Sequence, residues 1–139
     1  MKKRMALILA AATMSCCIYA PALAVQISPQ LKESAYFSSY YYDLEPSGKN
    51  GYFDFESLVV TTNNTDSVRV TVQIQQYDNG WEDYGKAYAG TSTKAAYALE
   101  DTVKVDRGEE YRAKFHYEAI VNGKVVETKI FATSGIDAP

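Results

Sequence analysis

The sequence predicts an all-β fold, a single antiparallel β-sandwich of about seven strands, and three observations predict it. Residues alternate apolar and polar with a period of two from Val68 to Tyr77. An Asn122-Gly123 pair sits between two further alternating runs, as a tight hairpin requires. The connections are rich in Gly, Pro, Asn and Asp and recur at intervals on the order of ten residues, which suits a sandwich or barrel.

The first strand in the chain is Tyr52 to Val60, with Phe53, Phe55 and Val59 on one face and Asp54, Glu56 and Leu58 on the other. The next is Val68 to Tyr77. Val68, Val70, Val72 and Ile74 form an apolar face, and Arg69, Thr71, Gln73 and Gln75 turn to water. Asp78-Asn79-Gly80 then supplies residues that tolerate positive φ, so Trp81 to Tyr88 is expected to return as the second arm of a hairpin. Tyr97 to Val105 adds one strand or two short ones. The only helical candidate, Lys94 to Asp101, is too short to be stable alone.

The last hairpin is the longest. A type I′ turn at Asn122-Gly123 sets Val121 opposite Lys124, and strict stepping back pairs Glu118 with Glu127, His116 with Lys129 and Phe115 with Ile130. On that register Tyr111, Ala113, Phe115, Tyr117 and Ala119 share the core face with Val126, Thr128, Ile130 and Ala132. His116, Glu118, Glu127, Lys129 and Phe131 lie on the outer one. Asp106-Arg107-Gly108 precedes Tyr111 as a corner precedes a strand whose Tyr ties the crossover loop, the mark of an Ig-like Greek key.

Ahead of these elements, Lys2, Lys3 and Arg4 are followed by an uncharged stretch from Met5 to Tyr19 and then by Ala22-Leu23-Ala24. This is the pattern of an export signal, residues 1–24, cleaved after Ala24, with residues 25–139 as the β-sandwich domain. The apolar run is shorter than the roughly 20 residues that span a bilayer, so no membrane span is expected in the processed chain. Lipid attachment at Cys16 or Cys17 is disfavoured because Thr13, Met14 and Ser15 before Cys16 lack the Leu that such sites usually carry three positions ahead. Cleavage removes both cysteines, so packing must hold the domain without a disulfide. It also removes three of the 14 Lys and Arg and none of the 17 Asp and Glu, leaving the domain more acidic than the formal −3 of the whole chain. A nucleic-acid partner is therefore not expected. After Phe131 there is no wall-sorting motif or apolar tail, so the expected destination is extracellular.

Four stretches, Ile27-Ser28-Pro29, Gln75 to Trp81, Gly108 to Lys114 and Asn122 to Glu127, carry a resemblance to a group of small exported bacterial β-sandwich domains of unassigned function. Gly108 to Lys114 also resembles the corner and following strand of fibronectin type III and other Ig-like modules. The resemblance implies an Ig-like sandwich and brings no catalytic residue or cofactor with it.

Enzymatic chemistry has few groups to draw on. His116 is the only histidine, and no serine lies in a G-x-S-x-G elbow. The one metal-dependent or hydrolytic alternative uses His116 with Glu118 and Glu127, which share a face on the strict register. Aromatics offer more. With Tyr19 set aside, 11 Tyr remain of the 12, more than a small core absorbs, and exposed rings with polar tips recognise glycans or proteins at low entropic cost. The expected function is a secreted, non-catalytic interaction or structural domain that needs no cofactor and binds an extracellular protein or glycan through Tyr77, Trp81, Tyr84 and Tyr88.

Overall fold

The computed structural model describes residues 34–139, so the expected export signal, Cys16, Cys17 and the Ile27-Ser28-Pro29 start lie outside the described residues. Among the described residues there are nine strands and no helix: β1 (Phe37–Pro46), β2 (Tyr52–Thr61), β3 (Ser67–Tyr77), β4 (Trp81–Asp83), β5 (Tyr88–Ser92), β6 (Ala96–Lys104), β7 (Glu110–Val121), β8 (Lys124–Ala132) and β9 (Ile136–Asp137).

All pairings are antiparallel. One sheet has the order β1-β2-β6, and the other runs β4-β3-β7-β8. β5 lies beside β3 on the same side as β4, and β9 lies beside β7 on the same side as β8. The nine segments therefore fill seven strand positions, two of which are edge strands broken by a loop. The chain crosses between sheets after β2, β5 and β6, which is the Greek-key connectivity of an Ig-like sandwich with its fourth strand on the larger sheet.

Alternation becomes burial in the central strands. Val68, Val70, Val72 and Ile74 of β3 and Tyr111, Ala113, Phe115, Tyr117 and Ala119 of β7 are at most 1% exposed. They face Phe53, Phe55 and Val59 of β2. Fully burying one Val, Ile or Phe side chain among them stabilises the fold by about 1.5–3 kcal/mol before chain entropy is counted, so the central strands supply a large share of the driving force. The Asp106 N–H donates to the Tyr111 hydroxyl at 3.1 Å and ties the β6–β7 crossover, as the corner residues predict. Ser57 Oγ and the Tyr117 hydroxyl meet at 3.0 Å across the core, so the buried polar groups satisfy each other.

Three elements differ from expectation. Phe37–Pro46 forms β1, whose Tyr-Tyr-Tyr run hides its alternation: Tyr40, Tyr42 and Leu44 pack inward, and Tyr41, Asp43 and Glu45 take the other face. The returning arm expected over Trp81 to Tyr88 is broken, with Trp81–Asp83 as β4 and Tyr88 opening β5, whereas the strand expected over Tyr97 to Val105 is β6, which pairs along β2 from Tyr52↔Lys104 to Val60↔Ala96. The third difference is the β7–β8 register. Asn122 (φ 49) and Gly123 (φ 73) make the expected turn, and Val121↔Lys124 and Ile120↔Val125 follow. A bulge then places Val126 as an extra residue, and every later pair shifts by one, to Ala119↔Glu127, Glu118↔Thr128, Tyr117↔Lys129, His116↔Ile130 and Phe115↔Phe131. The faces of β8 are thereby exchanged. Phe131 packs on Tyr40 and Tyr42 at 4.6 and 5.2 Å between ring centroids, while Ile130 is 56% exposed.

Candidate functional site

With the apolar residues of β3 and β7 turned inward, Gln73, Gln75 and Tyr77 of β3 and Arg112, Lys114 and His116 of β7 lie on the outer face of the larger sheet. At one end of this face the Asp78–Gly80 turn, with Asn79 at φ 55, brings Trp81 opposite Tyr77. Their rings meet edge to face at 5.3 Å. The Arg112 guanidinium lies 4.5 Å from the centre of the Trp81 ring, within cation–π range.

Gln75 holds this arrangement. It is only 6% exposed; its amide donates to Asp83 Oδ1 at 2.8 Å and accepts from Arg112 Nε at 2.9 Å. Both ends of the amide are engaged, so one orientation is selected and the guanidinium is pinned on the indole. A Cβ at position 135 would come within 2.9 Å of Trp81 Cη2, so Gly135 leaves the indole room to lie there. The result is a platform of two rings inclined at 65°, with a cation over the indole and the Asp83 carboxylate held beside it by Gln75. Tyr77, 47% exposed, is the most open ring of the four aromatics singled out from the sequence. Such a surface suits a ligand presenting an apolar ring or side chain with polar edges, and its fixed geometry lowers the entropy lost on binding.

The other two expected contact residues are elsewhere. The Tyr84 N–H donates to Ile74 O at 2.8 Å, and its ring packs edge-on against Tyr111 at 5.2 Å; its hydroxyl donates to Asp106 Oδ2 at 3.2 Å. Burial, reinforced by the Asp106 carboxylate, raises its pKa. Tyr88 stands opposite Val72 and meets Phe55 at 5.0 Å; burial and the Asp101 carboxylate raise its pKa. Both turn toward the space between the sheets, so the four aromatics do not form one patch. Parity separates them: Trp81 shares the outward set with Tyr77, and Tyr84, three residues on, falls on the opposite face. Sequence reasoning missed Gln75, Asp83 and Arg112, although the alternation that places Tyr77 and Trp81 puts all three on the same face.

The alternative constellation is taken apart by the bulge. His116 stands between Thr71 and Ile130, and Glu118, between Arg69 and Thr128, pairs with the Arg69 guanidinium at 3.2 Å. Glu127 is across from Ala119 on the inner face. There it accepts hydrogen bonds from Lys129 Nζ at 2.8 Å and Ser34 Oγ at 2.6 Å. Burial alone would raise the Glu127 pKa, but these two donors outweigh it and hold the carboxylate below its ordinary value. His116, Glu118 and Glu127 thus do not share a face, and among the described residues no three His, Cys, Asp or Glu side chains converge closely enough to hold a metal ion.

The outer face of the smaller sheet has the opposite character. Asp43, Glu56 and Glu100 lie in one cross-strand row, next to the row of Glu45, Asp54 and Thr102. Thr102 Oγ1 donates to Asp54 Oδ1 at 2.6 Å. Like charges directly opposite one another oppose strand pairing. Phe53, Phe55 and Val59 on the inner face of β2 outweigh that repulsion, each being fully buried.

Among the described residues no helix is long and apolar enough to cross a membrane. No protein-family model, curated protein or solved structure matches the chain.

Proposed function

We propose that this chain is exported and acts as a non-catalytic interaction domain, binding an extracellular protein or glycan on the outer face of its larger sheet. The single observation supporting the binding half of this reading is the Tyr77–Trp81–Arg112 platform, held by the buried Gln75 amide and open to solvent at Tyr77. A cation stacked on an aromatic at the surface contributes only about 0.5–1 kcal/mol to stability. Pre-ordering these groups is worth more to a ligand, because aromatic and Arg side chains anchor contacts out of proportion to their number. The leader-like residues 1–24 support the export half of the proposal.

The test is retention of ligands from a glycan array and from extracellular extracts by the exported chain, beside Trp81→Ala and Arg112→Ala variants. Trp81 is the only tryptophan, so its fluorescence reports directly on the site. Retention that falls at least about tenfold in both variants, with unaltered circular dichroism, is the expected result. Equal retention by all three chains refutes the platform. Amino-terminal sequencing of the secreted chain is expected to begin at Val25, and an intact Met1 refutes the processing.

A further inference from the structure

β8 is an edge strand whose free side is paired to no other strand among the described residues, and its side chains are arranged symmetrically about Thr128. Outward stand Val126, Thr128 and Ile130, with Val126 41% and Ile130 56% exposed. Inward stand Glu127 and Lys129. The Thr133 N–H donates to Ala113 O at 2.9 Å, so alternation along the ladder turns the amides of Glu127, Lys129 and Phe131 toward β7. The N–H and C=O groups of Val126, Thr128 and Ile130 then point to the open edge.

From this pattern we infer that β8 is a self-association edge whose occupant is β8 of a second copy of this chain, antiparallel about a two-fold axis at Thr128. In that arrangement Thr128 meets its own counterpart through a reciprocal pair of backbone hydrogen bonds. Val126 faces Ile130 of the other copy twice, on the outer surface. Glu127 faces Lys129 of the other copy twice, on the inner one. Thr–Thr pairs and opposite charges directly across from each other stabilise antiparallel ladders, and β-branched side chains fit the pleated surface between them. An isologous two-fold contact closes on itself and does not propagate.

Charge order is what favours a second copy over an unrelated strand. Inward charges on an edge strand ordinarily keep other strands away. Glu127 and Lys129 are opposite in sign and equidistant from Thr128, so two-fold pairing makes them complementary, while a one-residue slip or a parallel approach does not. The Val126 bulge produces this arrangement. On the strict register Val126, Thr128 and Ile130 would be buried against the core, and the edge would show only its charged side.

The inference is independent of the ligand platform and is tested by sedimentation equilibrium of the exported chain over a wide concentration range. A concentration-dependent dimer is expected. Thr128→Pro removes an edge N–H that the fold does not use and should shift the chain to monomer. Glu127→Lys and Lys129→Glu should each weaken self-association by at least about tenfold, through like-charge pairs, and an equimolar mixture of the two variants should recover the dimer as a heterodimer. Recovery on mixing separates pairing across two copies from a fold defect in either variant. A chain that stays monomeric at all concentrations overturns the inference, as does a dimer indifferent to both charge changes. Protection of the Thr128 and Ile130 amides from hydrogen exchange in a monomer also overturns it, by placing another segment of the same chain on the edge.

Discussion

Replacing Phe131 and Ile130 by Ser, one at a time, distinguishes the bulged register from strict alternation, because the two registers assign the buried role to different residues. Phe131 is partly buried, with ring-centroid distances of 4.6, 5.2 and 6.2 Å to Tyr40, Tyr42 and Tyr117. Removing a fully buried Phe side chain costs about 3–5 kcal/mol. Partial burial reduces this, and about 2–3 kcal/mol is expected for Phe131→Ser. In a domain of this size that lowers Tm by roughly 10–20 °C. Ile130, 56% exposed, should cost no more than about 0.5 kcal/mol. Urea denaturation followed by far-ultraviolet circular dichroism and Trp81 fluorescence gives both values. Deleting Val126 is the matched control: it removes the extra residue and leaves Ala119↔Glu127 and every later pair in place, so the fold should persist within about 1 kcal/mol. A larger loss for Ile130→Ser than for Phe131→Ser would refute the register and everything drawn from the faces of β8.

Two other predictions concern the tyrosines of the core. Tyr111→Phe removes the hydroxyl that accepts the Asp106 N–H at 3.1 Å and should destabilise the domain by about 1–1.5 kcal/mol in chemical denaturation, whereas no change would argue that the corner contributes nothing. The second follows from pKa. Burial pushes the Tyr111 hydroxyl up to about 12 from its ordinary 10.0 and raises Tyr117 further. The folded state therefore keeps protons that the unfolded chain releases, so the stabilisation is fully present below pH 10 and is lost as pH rises toward 12. Unfolding free energies measured from pH 8 upward should be flat to about 10 and then fall, and a flat profile through 12 would contradict the burial of these hydroxyls.

Local patterning determined much of this protein. Val68 to Ile74 alternate against polar residues, and any sheet with one buried face must turn that set inward, so the inward set of β3 was legible residue by residue, while Gln75, expected to face water, is 6% exposed. The same holds for Tyr111 to Ala119, for the positive φ angles at Asn122 and Gly123, and for the Tyr111 corner. Tyr77 and Trp81 could also be placed together, since a short turn brings its flanking residues opposite each other. The platform's other members needed the third dimension. Arg112 reaches Trp81 only because β7 pairs with β3 in a particular register, and Gln75 joins them only because it is buried between Arg112 and Asp83.

β8 shows where local reasoning ends. Its alternating sets, Val126-Thr128-Ile130 and Glu127-Lys129-Phe131, each contain apolar residues, and the first is the more apolar. The fold nevertheless buries Phe131 against Tyr40 and Tyr42 of β1, and Ser34, far away in the chain, hydrogen-bonds Glu127. Side-chain parity is a property of neighbouring residues and can be read from the chain, whereas the choice of which parity faces the core depends on partners that only folding brings near.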